Sequence, residues 1–266
     1  MADAVEASRP MKLFTFATSP YARKVRMVLE YKGIACEMVE RCYSLDRKPD
    51  LRAASERAEV PVLVLDDGRT IADSTIICEY LEDAHPRLPV FPADPFERAR
   101  MRAIDDLCDR TFDATVFGYF LGVVRSPSPE AEAMKDAGRA EFKALLTRLE
   151  RELEGREFFC GASLSLADLV AICHLPAAHA MHLRMSEFPR LSAWEKRMRA
   201  IALVAADLER ARKAMAEGDL ASEFEGPDGR IHWRDSRLEW PVRHGFVDFI
   251  AREFHAGKMM FPPDAS

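Results

Sequence analysis

The chain has 266 residues, 48% hydrophobic and 31% charged, enough apolar material for a sizeable core in one or two domains, which excludes disorder along its whole length. A formal net charge of −6 argues against a dedicated nucleic-acid binder, and no apolar run reaches the roughly 18 residues of a membrane span. Residues 1–10 lack the apolar core of a signal peptide, and six scattered cysteines (Cys36, Cys42, Cys78, Cys108, Cys160, Cys173) without a CxxC pair read as reduced thiols of a cytoplasmic protein.

In chain order, residues 1–10 read as a short disordered arm and KLFTF (12–16) as a first strand. Ser19-Pro20 then opens a helix in which Ala22, Val25, Val28 and Leu29 recur at helical spacing, with Gly33 just past its end. ACEMVER (35–41) predicts a second strand, parallel to the first across this β-α-β unit. The polar stretch from Arg47 to Arg57 has room for a short helix. Val60–Leu65 and Thr70–Ala72 predict an antiparallel strand pair across the turn Asp66-Asp67-Gly68, and Asp73 or Ser74 caps a helix ending before Pro86. The first part, residues 11–86, is thus a small α/β domain with a mixed four-stranded sheet.

Residues 87–95 hold three prolines and read as a linker. Residues 96–217 then carry only helical periodicity, the mark of an all-helical bundle domain. Helices are predicted over Pro95–Val124, Pro129–Leu153, Leu166–Ala177, Glu187–Ala200 and about Leu203–Glu217, with Ser165 and Asp168 as a capping-box variant. Residues 218–266 form an extension with no assigned role. There Phe246, Phe249, Ile250 and Phe254 share a helical face, and Ser236–Glu239 matches a capping box whose helix would contain Pro241.

Three places carry chemistry. Ser19 sits at the mouth of the first helix, where free N–H groups and a partial positive charge favour an anion. It serves either as a plain cap or as a donor to a bound thiolate, whose ordinary pKa near ~8.5 leaves it mostly protonated at neutral pH. Val60-Pro61 opens a strand, and its position alone favours a trans bond. Asp73-Ser74 at the third helix is either a simple cap or a site for an ammonium and a carboxylate.

SPYARKVRMVLEYKGI, EVPVLVLDDGRTIADSTIICEYLED and the box SLSLADL together resemble a bacterial, serine-type glutathione S-transferase over about residues 11–205. The resemblance implies a thioredoxin-like N-terminal domain and an all-helical C-terminal domain. It implies that Ser19 bonds the sulfur of glutathione, the co-substrate. Pro61 would be cis, Val60 would pair with the cysteinyl backbone, and Asp73 and Ser74 would hold the γ-glutamyl end. Asp168 would serve folding. Where the family often has Asn-Pro before Val-Pro, this chain has SERAE (55–59), and Arg47, Lys48 and Arg57 are candidates for the glycine end.

The long first helix of the second half would line the electrophile pocket, with Tyr21, Thr111, Thr115 and Tyr119 as contacts. Its aromatics (Phe112, Phe117, Tyr119, Phe120) serve as core or as pocket wall, and a wall of that kind suits an apolar or aromatic electrophile. His174, His179 and His182 lack a common face, so no metal is expected. A homodimer is implied, with no nucleic-acid or membrane partner. A serine at the site suits conjugation; a glutathione-dependent isomerase or lyase and a non-catalytic scaffold are the alternatives.

Overall fold

A computed structural model describes residues 10–40, 49–57, 59–217 and 230–261. Strands β1 (Lys12–Thr15), β2 (Glu37–Glu40), β3 (Val62–Val64) and β4 (Thr70–Ala72) form a mixed sheet in the order β2-β1-β3-β4. Helix α1 (Pro20–Lys32) links the parallel pair β1–β2, whereas β1–β3 and β3–β4 are antiparallel. Alternation along the strands divides the apolar residues between two layers. Leu13 and Leu63 join Val25, Leu29, Ile77 and Leu81 in the main core, while Phe14 and Val62 pack on Leu51. Leu51 lies on α2 (Pro49–Ala54), and Ile77 and Leu81 lie on α3 (Ser74–Ala84). The four predicted strands are present, the first three with shorter ends and the fourth as predicted. The arm at 1–9, Cys42, Arg47 and Lys48 fall outside the described residues.

The stretch predicted as a linker has no helix or strand up to Asp94, yet it is fastened. Val90 and Phe91 are buried, their N–H groups donate to Glu82, and the Val90 carbonyl accepts from Leu166 N–H at 2.9 Å. The single helix predicted over 95–124 is three pieces: α4 (Pro95–Asp106), a π turn (Leu107–Phe112) and α5 (Asp113–Val124). In the π turn the Asp113 N–H donates to Cys108 and Arg110, outside the usual ladder. The Asp109 carbonyl accepts instead from the Tyr21 hydroxyl at 2.8 Å.

Helices α6 (Ala131–Glu152), α7 (Leu166–His174), α8 (Pro176–Ala180), α9 (Pro189–Ala200) and α10 (Ala202–Glu217) follow. The helix predicted over 166–177 divides at Pro176, which lacks the N–H a continuing ladder needs. Asp168 is fully buried and accepts four hydrogen bonds, from Ser165 N–H, Ser165 Oγ, Phe159 N–H and Trp194 Nε1, so the capping box also ties α9 to α7.

Buried charge joins the two halves. Lys24 is fully buried on α1, and its Nζ meets Asp105 Oδ1 and Asp109 Oδ2, each at 2.6 Å, and Thr75 Oγ1 at 3.1 Å. From either side of Lys24 in the chain, Arg23 Nε and Arg26 Nη2 donate to Asp207 of α10 at 2.7 Å and 2.9 Å. Arg26 also reaches Thr15 Oγ1 and the Phe16 and Ala17 carbonyls, so sheet, α1 and α10 share one network.

Residues 230–261 form a small unit of their own against α5 and α6. Strand β5 (Ile231–His232) pairs in parallel with β6 (Met259–Met260), enclosing α11 (Asp235–Arg243) and α12 (Val247–His255). Trp233, Trp240, Ile231 and Phe249 are buried with Ala114, Phe117, Leu121 and Met134. Gly118 admits the Trp240 ring, because a Cβ there would lie 2.3 Å from it. Arg237 meets Asp113 through two bonds of 2.7 and 2.9 Å, and Arg125 meets Glu253 at 2.8 Å. The predicted cap at Ser236 is corrected: α11 begins at Asp235 and runs through Pro241 to Arg243. Burial of both tryptophans and the Arg237 pair outweigh the roughly 3 kcal/mol that an interior proline costs. Phe254 also departs from its predicted face and is exposed, while Phe249 is buried and Phe246 and Ile250 are partly so.

Two stability predictions follow from this packing. Lys24→Met strands two carboxylates in the interior and is expected to cost about 3–5 kcal/mol in urea unfolding. Adding Asp105→Asn and Asp109→Asn should recover much of that loss, and no recovery would exclude unpaired charge as its cause. Gly118→Ala gains at most about 1 kcal/mol of helix propensity but overpacks against Trp240 by about 1–3 kcal/mol. The net expectation is a lower Tm and faster proteolysis of 230–261.

Candidate functional site

A cavity of about 690 Å³ lies between the sheet half and the helices. Ser19, Tyr21, Glu59 and Val60 form its sheet-side wall. The Val60–Pro61 bond beside them is cis. Val116, Phe117, Phe120, Ala177 and Leu208 give it an apolar body, and Arg234 and Arg237 of the C-terminal unit complete the enclosure.

Ser19 caps α1 in an extended conformation, and its Oγ accepts from Ala22 N–H at 3.4 Å, a long contact. Among the described residues that is its side-chain bond, so the hydroxyl proton is left for a ligand. Tyr21 presents its ring and not its hydroxyl, which is committed to Asp109. Burial, reinforced by Asp113, pushes its ionisation well above the ordinary tyrosine value. Cys173 also lines the wall, but burial pushes its thiol up to about 12. The chain's own sulfur is therefore protonated at neutral pH, and a reactive thiolate here has to be brought by a ligand.

Asp73 and Ser74 stand apart from this cavity, at the N-terminus of α3. Asp73 has a φ of 78°, left-handed and costly for a residue with a side chain. Its Oδ1 accepts from Thr75 and Ile76 N–H, leaving Oδ2 over, and the buried Ser74 hydroxyl donates to Asp109 Oδ2 at 3.4 Å. Burial, eased by Lys24, pushes the Asp109 carboxyl up to about 6. Arg57 lies at the exposed edge, 4.0 Å from Asp235.

The pocket assignment of Thr111, Thr115 and Tyr119 is corrected. None of the three lines the cavity: the buried Thr115 hydroxyl donates to the Thr111 carbonyl at 2.7 Å, and the Tyr119 hydroxyl donates to the Ala180 carbonyl. The face of α5 that opens on the cavity is Asp113, Val116, Phe117 and Phe120. Sequence reasoning also missed Glu59, Asp113, Arg234 and Arg237, and weighed His174 only as a metal ligand. The signal for Asp113 was a lone acid heading an apolar run; for the arginines it was the pair flanking Asp235-Ser236.

The three histidines occupy separate settings. His179 faces Glu195 at 3.7 Å, His182 has a φ of 58°, and His174 is buried in the cavity wall. Burial pushes His174 down to about 4. The unfolded chain therefore takes up the proton first as pH falls, so stability from this group is whole above about 6.5 and drains away towards about 4. Wild type is expected to lose about 2–3 kcal/mol more than His174→Phe between pH ~7 and pH ~4.5. Parallel urea-unfolding curves across that range would remove His174 from the account.

Residues 13–89 match the glutathione S-transferase N-terminal domain, and residues 131–197 the glutathione S-transferase C-terminal domain. The probable glutathione S-transferase BZ2 of Zea mays is 31% identical over 211 residues, covering 71% of this chain and 86% of that one. A glutathione S-transferase from Rhodospirillum rubrum F11 is 29% identical, with a TM-score of 0.65 over 74% of this chain and 91% of its own. One from Methylobacillus flagellatus KT, solved with glutathione bound, has the same identity and TM-score over 74% and 98%. The sheet half is accordingly thioredoxin-like and the C-terminal domain before residue 218 helical. The matched stretches span more than half of the sequence, and the chain belongs to the glutathione S-transferase family.

Proposed function

We propose that the protein is a serine-type glutathione transferase that ionises the thiol of glutathione and directs it at an apolar or aromatic electrophile. The observation that carries this reading is the uncommitted Ser19 hydroxyl at the mouth of α1, in the wall of an otherwise largely apolar cavity. The Ser19 O–H donates to the sulfur while the helix N-terminus adds its partial positive charge. The thiolate lone pair forms the S–C bond, and the leaving group departs with the electrons of the bond it breaks. Holding both reactants in one enclosure supplies the proximity.

Residues 11–86 bind glutathione in this scheme and residues 96–217 hold the electrophile, joined through 87–95. Val60 pairs with the cysteinyl backbone beside Pro61, the free Oδ2 of Asp73 with Ser74 takes the γ-glutamyl end, and Lys48 reaches the glycine end. Family membership and the scattered cysteines support a cytoplasmic homodimer using glutathione as co-substrate without a metal.

Ser19→Ala removes one hydrogen bond to a charged acceptor, about 1.5–3 kcal/mol, or roughly ten- to a hundredfold in rate. Conjugation of glutathione to an aryl halide should fall by that factor while the Kd for glutathione changes little. Unchanged kcat would remove Ser19 from the mechanism.

A further inference from the structure

The matched C-terminal domain ends at residue 197, so the role of 230–261 at the cavity has to be read from its own side chains. Arg234 Nη1 donates to Glu59 Oε2 at 2.9 Å, and its guanidinium carbon stands 4.8 Å from the centre of the Tyr21 ring. Tyr21 is two residues beyond Ser19, and Glu59 directly precedes Val60. One guanidinium therefore spans the two loops that carry the sulfur-binding and cysteinyl-binding residues of the proposed site. Among the described residues Arg234 forms that one hydrogen bond, leaving Nε and Nη2 over.

The placement is rigid. The preceding Trp233 is fully buried edge-on against Phe117, and three residues on Arg237 is locked to Asp113 while lying over the same Phe117 ring. A guanidinium so held needs no reorganisation when charge develops beside it, and the partly buried setting weakens screening.

We propose that Arg234, delivered by the C-terminal segment, is an electrostatic partner of the glutathione sulfur and shares with Ser19 the task of keeping it ionised. The proposal rests on the glutathione reading above. The other charges around it set the balance. Glu59 opposes Arg234 directly, Asp113 is answered by Arg237, Tyr21 stays protonated, and His174 is neutral. On α10, Glu209 and Arg212 answer each other. Arg23 and Arg199, also in the wall, are answered by Asp207 and Glu195.

The test uses the full-length chain saturated with glutathione and follows thiolate ultraviolet absorbance against pH. Arg234→Gln should raise the pH of thiol ionisation by about one unit, leaving roughly tenfold less thiolate below both values. Arg234→Lys keeps the charge and should restore most of the wild-type titration. Glu59→Gln should move it the other way. A purely bracing role for Arg234 predicts no shift in either Arg234 variant. An Arg234→Gln curve that overlays wild type overturns the proposal, as does a Lys variant displaced as far as the Gln variant. If Arg234→Gln does not fold, an unshifted Glu59→Gln curve overturns it instead. A Ser19→Ala titration identical to wild type, with Arg234→Gln displaced, would sink the Ser19 mechanism and leave Arg234 standing. A wild-type chain that does not bind glutathione overturns both.

Discussion

The structure hangs on the obligation to pair the cations buried on α1. Arg23, Lys24 and Arg26 are almost wholly withdrawn from water, and their partners, Asp105, Asp109 and Asp207, all come from the helical half. An isolated buried ion costs several kcal/mol, so the helical half has one satisfactory position against α1. That position sets the gap between the halves. It also fixes Ser19, which sits one residue before the helix that carries the cations. Geometry at the mouth of α1 is thus dictated by charge pairs a turn or more further along.

The same economy governs the cavity. Its body is apolar, and its polar groups are either spent or kept neutral. Tyr21 gives its hydroxyl to a carbonyl released by the π turn, burial holds Cys173 protonated, and His174 is neutral. Against that background the Ser19 hydroxyl and the half-paired Arg234 guanidinium stand out. Few polar groups in an apolar enclosure each act strongly, because little water is present to screen them.

The strands, their two local pairings and the cap on α1 were legible in the sequence because each is local: alternation, a proline at the first helical position and a glycine beyond the end. The β1–β3 pairing that completes the strand order joins residues about 50 positions apart and was not read. The cis geometry at Pro61 was legible only by resemblance, since its position favoured trans. The pocket face of α5 was misread for a physical reason. A π turn takes more residues than an α turn, so helix faces beyond it are rotated by up to about 100° relative to an uninterrupted spiral. Thr115 and Tyr119 thereby give way to Val116, Phe117 and Phe120. The pairing of the α1 cations left no mark in the sequence, because their partners lie from about 80 to more than 180 positions away. Arg234 and Arg237 escaped because the cap pattern drew attention to Ser236, one residue inside the helix start.

The bidentate contact between Arg237 and Asp113 has a consequence for any shortened form of this chain. Asp113 lies in the cavity wall, nearly inaccessible to water, and Arg237 is the first among the charges that hold it ionised. Cutting the chain ahead of Arg234 would unroof the chamber and also invert its electrical character. A compensated dipole would become a bare carboxylate facing the space where an anionic sulfur is meant to sit. Truncation in this protein is therefore an electrostatic mutation as much as a deletion.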